Sequence, residues 1–195
     1  MTTGDPALHV LVGSNGAGKS TMFRLVIEPE TGLPFVNADD IAAARWPDDA
    51  EARSYDAAAI AEAQRRELIT ERRSFAFETV FSHPSKVAFL RDARRAGYVI
   101  TLHAVLVPEE LSVARVENRV AQGVGHAVPE QKIRERYHRL WDHVADAVSS
   151  VQTAFAYDNS SIDRPFQLVA TFRGGRIVGS AAWPKWTPAP LTNFG

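Results

Sequence analysis

Apolar and polar stretches alternate along the chain in a way that predicts strands and helices in turn. Leu8–Gly13 is a short apolar run ending in glycine and reads as a buried strand. A glycine-rich segment follows, then a helix from Lys19 to Val26 that the Glu28–Pro34 stretch breaks. Phe35–Asn37 predicts a second strand, and Ile41–Arg45 a helix closed by Pro47. Ala52, Tyr55, Ala59 and Ala63 recur at spacings of three and four, which marks one helical face running to about Arg72. Ser74–Phe81 predicts a third strand, Ser85–Ala96 a helix stopped by Gly97, and Tyr98–Val107 a fourth strand bounded by Pro108.

Two further helices are expected. Val113, Val116 and Val120 mark the apolar side of the first, and Ile133, Tyr137, Leu140, Val144 and Ala147 that of the second. Gln122–Pro129 between them, with two glycines and a proline, reads as a loop. Thr153–Tyr157 predicts a fifth strand. Phe166–Phe172 and Ile177–Ala182, joined through Gly174-Gly175, predict a hairpin. Trp183–Gly195 is proline-rich and expected to be irregular. Strands alternating with helices predict an α/β fold with a parallel sheet of about five strands flanked by helices, and the C-terminal β-hairpin as an antiparallel addition at an edge.

Composition narrows the classes. The 195 residues suit a single domain, with a core over about residues 8–160 and a hairpin and tail over 161–195. A net charge of −1 gives no electrostatic case for a nucleic-acid partner. The absence of cysteine excludes disulfides and thiolate metal sites and is compatible with a reducing cytoplasm, the expected location. No apolar run is long enough to span a bilayer, so no membrane partner is expected, and the first residues lack the basic-then-apolar pattern of a signal peptide.

Gly13-Ser14-Asn15-Gly16-Ala17-Gly18-Lys19-Ser20 fits G-x-x-x-x-G-K-[ST] at every fixed position, and Thr21 continues it. Backbone N–H groups must converge on phosphate oxygens in such a loop, and the N-terminus of the following helix adds its partial charge. Lys19 can reach the β and γ phosphates, and the Ser20 hydroxyl can ligate Mg²⁺. The predicted context of strand, loop and helix points to a P-loop NTPase fold with ATP as co-substrate and Mg²⁺ as cofactor.

A phosphotransferase needs more than this cradle. It needs a carboxylate for the acceptor hydroxyl and cations for the transferring group, placed at the carboxyl ends of strands. Asp39 and Asp40 follow the second strand. Asp39 is the favoured base and Asp40 the alternative, with Asn37 or either aspartate able to cap the next helix. Glu78 and Thr79 stand near the end of the third strand and are candidates for contact with substrate, although no strand ends in a clear Mg²⁺-supporting aspartate. Arg115 and Arg119 share one helical face, and Lys132, Arg136 and Arg139 form a stripe on the next helix. The loop between these helices can act as a lid carrying arginines over the phosphates, with Arg119 and Arg136 flanking it most closely and Arg115 nearby. His126 within the loop is a candidate substrate contact, whereas His138 and His143 read as surface positions. The bland alternative for both arginine stripes is a pair of solvated basic faces matched by Glu117, Glu130 and Glu135.

Several motifs in order resemble the zeta-toxin family of P-loop kinases, in particular its shorter bacterial branch of zeta-like ATPases. They are Gly-Ser-Asn-Gly-Ala-Gly-Lys-Ser-Thr at 13–21, Phe-Val-Asn-Ala-Asp-Asp-Ile-Ala at 35–42 and Phe-Glu-Thr-Val at 77–80, followed by Arg115-Val-Glu-Asn-Arg119-Val, Gly-His-Ala-Val-Pro at 125–129, Arg134-Glu-Arg136-Tyr137 and Tyr157-Asp-Asn-Ser160. The resemblance spans about residues 8–160. It implies an ATP- and Mg²⁺-dependent transfer to the 3′-hydroxyl of UDP-N-acetylglucosamine, and an antitoxin protein as candidate partner. It also implies Lys19 on phosphate, Asp39 as base, Glu78 on the acceptor, and Arg119 with Arg136 at the transition state. The alternative is a regulatory ATP-binding module or slow ATPase acting through a protein partner.

Overall fold

The structure is a computed structural model that describes residues 4–123 and 128–194. Its centre is a seven-stranded sheet in the order β2-β3-β1-β4-β5-β6-β7. The strands are β1 (Ala7–Val12), β2 (Phe35–Val36), β3 (Phe75–Thr79), β4 (Val99–Leu106), β5 (Thr153–Asp158), β6 (Gln167–Arg173) and β7 (Arg176–Ile177). The first five run parallel, and β6 and β7 add antiparallel at one edge. Central β1 pairs through Leu8 with Phe75 on one side and Ile100 on the other. The predicted α/β fold and edge hairpin are therefore observed.

Successive side chains of a strand face opposite layers. Leu8, Val10 and Val12 point into the larger core with Phe75, Phe77, Ile100 and Leu102. That layer is closed by α4 (Ser54–Thr70), α5 (Ser85–Arg95) and α7 (Glu130–Ser150), whose Ala61, Leu90, Leu140 and Val144 are buried there. Leu11, Ala76 and Val105 face the other way and pack on Met22, Phe23 and Ile27 of the helix after the phosphate loop. The tail also joins the larger core: Leu191 of the short helix α8 (Ala189–Thr192) is buried in it, and Phe172 packs against Trp183 and Phe194.

Several expectations are corrected. The helix after the loop does not end near Val26. It runs as α1 (Lys19–Met22), a π turn (Phe23–Ile27) and α2 (Glu28–Thr31), stopping at Gly32. The widened π turn lies just before Pro29, whose ring and missing N–H disturb the ordinary i→i−4 ladder. The second hairpin strand is only Arg176–Ile177, although Val178 N–H and Ala182 N–H still donate to Thr171 and Val169 carbonyls. The Trp183–Gly195 tail contains α8 instead of being wholly irregular.

The largest correction concerns α4. Its buried face is Ala57, Ala61 and Arg65, while Tyr55 is 76% exposed and Ala59 and Ala63 are exposed. Alanine favours a helix on any face, so an alanine period does not show which side is covered.

Candidate active site

The carboxyl ends of β1, β2 and β3 open on one cavity of about 740 Å³. In an open parallel sheet this is where loops converge and ligands bind. It is lined by residues of the phosphate loop, by Asn37, Ala38 and Asp39 after β2, by the end of β3, and by α4 with the start of α5. Arg115 and Arg119 of α6 (Glu109–Ala121) and Arg136 of α7 also reach it.

Side chains from distant segments hold the loop. Asn159, just beyond β5, donates from Nδ2 to the Ala17 carbonyl at 2.8 Å, and its Oδ1 accepts from Phe166 N–H at 3.3 Å. Ser112 Oγ donates to the Asn15 carbonyl at 2.6 Å. These close approaches require glycine. A Cβ on Gly18 (φ +94°) would lie 2.6 Å from Asn159 Nδ2, and one on Gly16 (φ +71°) 2.9 Å from the Ser112 carbonyl.

Lys19 is buried and donates from Nζ to the Ser14 carbonyl at 3.0 Å. Burial pushes its pKa down, against the attraction of Glu78 and Asp39. Ser20 Oγ donates to Glu78 Oε2 at 2.6 Å. Burial pushes the Glu78 carboxyl up, opposed by Lys19 and by the Ser20 hydrogen bond. Ser14 Oγ, Asn15 Oδ1 and Arg119 Nε are buried without a hydrogen-bond partner among the described residues. Orphaned polar atoms around a glycine-built cradle fit a ligand rich in oxygen.

The two aspartates separate. Asn37 caps α3 (Ala38–Arg45), its Oδ1 accepting from Asp39 N–H at 2.8 Å. Asp39 lines the cavity with Lys19, whereas Asp40 does not: it forms an exposed 3.1 Å ion pair with Arg24 and borders an adjoining hollow that Asp39 also lines. Thr79 also lines the cavity, and its Oγ1 accepts from Phe81 N–H at 3.1 Å.

Among the arginines, Arg119 and Arg136 both line the cavity. Arg115 lines it too, but its guanidinium donates to the Asn159 carbonyl at 3.0 Å and the Gly16 carbonyl at 3.5 Å, so it clamps the loop wall. The rest of the α7 stripe disperses: Lys132 donates to Tyr55 Oη at 3.3 Å and Arg139 to its own helix at the Glu135 carbonyl. Arg134 instead ties α7 to α6 through Glu109 and Glu110. His138 is exposed and 3.3 Å from Glu109. His126 lies outside the described residues.

Four residues of this region carried no role in the sequence reading: Ser112, Asn159, Arg65 and Lys86. Asn159 stood within a quoted motif, and its place one residue past a strand was the available signal. Arg65 and Lys86 had none, because only packing shows that their helices face the cavity.

A strand–loop–helix cradle with carboxylates at the ends of the next two strands defines a P-loop fold of the kinase type. The sequence model of the zeta toxin family matches residues 1–165, and the chain belongs to that family. No curated protein sequence matches significantly. Solved structures do. The AvrRxo1-ORF1:AvrRxo1-ORF2 complex with sulphate ions matches at a TM-score of 0.73 and 15% identity, over 92% of this chain and 62% of that one. A structure of the same complex with ATP gives 0.71 and 16%, over 90% and 61%. The PezAT toxin–antitoxin system of Streptococcus pneumoniae gives 0.62 and 16%, over 98% and 85%. The chain thus spans less than two thirds of the AvrRxo1 chains it matches. A gluconokinase from Sinorhizobium meliloti shares the fold at a TM-score of 0.54 and 18% identity, over 83% and 86%. No helix among the described residues is long and apolar enough to cross a membrane.

Proposed function

We propose that the chain is a single-domain, ATP-dependent small-molecule kinase acting in the cytoplasm. Its acceptor is a sugar-nucleotide hydroxyl, with the 3′-hydroxyl of UDP-N-acetylglucosamine the first candidate. The observation that carries this reading is that Asp39 and Lys19, from different strand ends, line one cavity, close enough that the carboxylate opposes the lowering of the lysine's pKa by burial. The family match and the kinase-type neighbours support it.

Each group then has a task. The loop from Gly13 to Thr21 and Lys19 hold the triphosphate. Ser20 and Glu78 offer two hard oxygens 2.6 Å apart, a donor set suited to Mg²⁺, which takes few protein ligands alongside phosphates and water. When bound, Mg²⁺ neutralises phosphate charge. Asp39 orients the acceptor hydroxyl and receives its proton as the oxygen bonds to the γ-phosphorus. The bond from that phosphorus to the β–γ bridging oxygen breaks, and ADP leaves with its electron pair. Arg119 and Arg136 face the charge that spreads over the transferring group. Arg115 keeps the loop in place for this step. An antitoxin partner is proposed from the protein complexes among the structural neighbours.

Incubation with ATP, Mg²⁺ and UDP-N-acetylglucosamine should add one phosphate to the sugar nucleotide, read by mass spectrometry. Asp39→Asn should lower turnover by roughly 10²–10⁴-fold while ATP affinity stays within about twofold. ATP binding with no turnover on any acceptor would favour the regulatory-module alternative, which the single carboxylate beside Ser20 makes worth separating.

A further inference from the structure

Helix α4 brings a second buried cation to the cavity. Arg65 on α4 is only 8% exposed, lines the cavity, and makes no hydrogen bond or ion pair with any described residue. Its guanidinium carbon stands 5.0 Å from the Phe77 ring centroid and 6.0 Å from that of Phe89. Aromatic faces support the cation but leave its N–H donors unspent. Glu62 is the carboxylate that acts on Arg65 and also on Lys86 of α5, but its own hydrogen bond goes to Arg66 at 2.7 Å. Lys86, in the first turn of α5, lines the same cavity, is partly buried, and its ammonium has no hydrogen bond or ion pair among the described residues. The charge of Arg65 acts unfavourably on it.

Glu62 opposes this only in part, since burial still leaves both cations with lowered pKa values, and a bound anion would offset the rest. Arg65 and the loop meet opposite faces of β3: Arg65 stands over Phe77 in the larger core, whereas Ser20 of the loop donates to Glu78, the next residue, whose side chain faces the other way. The donor's phosphates are therefore not what these residues are placed to meet. The segment between β3 and Lys86 is held in a costly shape, with Phe81 at φ +64° and fully buried, and its Ser82 and His83 line the cavity.

We infer that Arg65 and Lys86 form an anion subsite for the acceptor, selecting a molecule that carries a phosphate or pyrophosphate group apart from the hydroxyl that is phosphorylated. Arg65 contributes the planar fork for two oxygens and Lys86 a point charge. The inference rests on the kinase reading for the acceptor's role, and its test has an arm that does not.

In that arm, calorimetry follows inorganic pyrophosphate binding to the full chain whose loop is filled with a non-hydrolysable ATP analogue and Mg²⁺. One equivalent should bind, and Arg65→Met and Lys86→Met should each weaken it by about tenfold or more. Affinity for the ATP analogue should stay within about twofold, and Arg65→Lys should fall between. In the kinetic arm, UDP-N-acetylglucosamine and N-acetylglucosamine 1-phosphate should be phosphorylated far better than uncharged N-acetylglucosamine. Both variants should raise KM for the charged acceptors and leave KM for ATP unchanged. No pyrophosphate binding, or equal binding by the variants, overturns the subsite. Equal use of the uncharged sugar overturns the selectivity while leaving the kinase reading intact. Absence of any phosphorylated product counts against the kinase reading alone, and calorimetry still judges the subsite. Lys86→Met, at a partly exposed helix start, carries the test if Arg65→Met fails to fold.

Discussion

Lys19 and His103 are both buried bases, and the fold treats them differently. Lys19 lies among carboxylates, with Glu78 and Asp39 opposing the effect of burial. His103 lies on the sheet face away from α5 and α7, stacked against Phe155 and Tyr157, with His9 Nδ1 at 3.1 Å from its Nε2. Burial and the neighbouring His9 push its pKa down to about 3, so it is neutral at physiological pH. Desolvation acts in the same direction on both. The difference lies in the ordinary pKa of each base and in the carboxylates, which oppose the effect of burial at Lys19 and are not among the groups acting on His103.

Removing the cleft's charge should have the largest effect. Lys19→Met should weaken ATP binding by roughly 10–100-fold, as loss of charge-assisted hydrogen bonds implies, measured with a fluorescent nucleotide. If ATP binds equally well, Lys19 is a buried structural lysine and the contrast with His103 collapses. Next in size is the wall behind the loop. Asn159→Ala removes one buried and one part-buried hydrogen bond and takes away the side-chain donor to the Ala17 carbonyl, at about 1–3 kcal/mol. We expect a lower Tm and an ATP KM raised about tenfold, with a kcat that recovers at saturating ATP.

His103 gives a prediction with a defined pH window. Its folded pKa of about 3 lies below the ordinary 6.5, so the unfolded chain binds a proton that the folded chain refuses. The corresponding stability is present above pH 6.5 and is lost as pH falls toward 3. Between pH 7 and pH 4.5 the loss is roughly 2.5 kcal/mol. Urea unfolding at the two pH values should show His103→Gln losing less stability than the parent chain across that interval. Equal losses would mean that His103 is not held neutral. The smallest effect belongs to the exposed Arg24–Asp40 pair. Asp40→Asn should change stability by less than about 1 kcal/mol and leave phosphotransfer near the parent rate, in contrast to Asp39→Asn. A collapse of activity in Asp40→Asn would exchange the two aspartates' roles.

How far the site was legible follows the range of the interactions. Gly13–Ser20 was readable because the cradle is made by consecutive backbone groups, and Asn37–Asp40 because the strand end and helix cap are neighbours in the chain. Arg65 was not. Its helix carries alanines on more than one side, and the period through Tyr55 and Ala59 pointed to an exposed face. What buries Arg65 is Phe77 from β3 and Phe89 from α5. The π turn before Pro29 escaped for a related reason, since a proline inside a helical pattern reads as an end unless packing on the sheet holds the helix together.

By itself, then, the sequence determined the alternating α/β order, the phosphate loop, and which carboxylates follow which strands, because those are set by local periodicity and by contacts within a few residues. Only the tertiary structure decided that Asp39 shares the cavity with Lys19 while Asp40 turns to Arg24, that Arg115 clamps the loop, and that Arg65 and Lys86 meet across two helices. Those outcomes depend on which helix faces are covered when β1, β3 and β4 pair, and no local pattern encodes that.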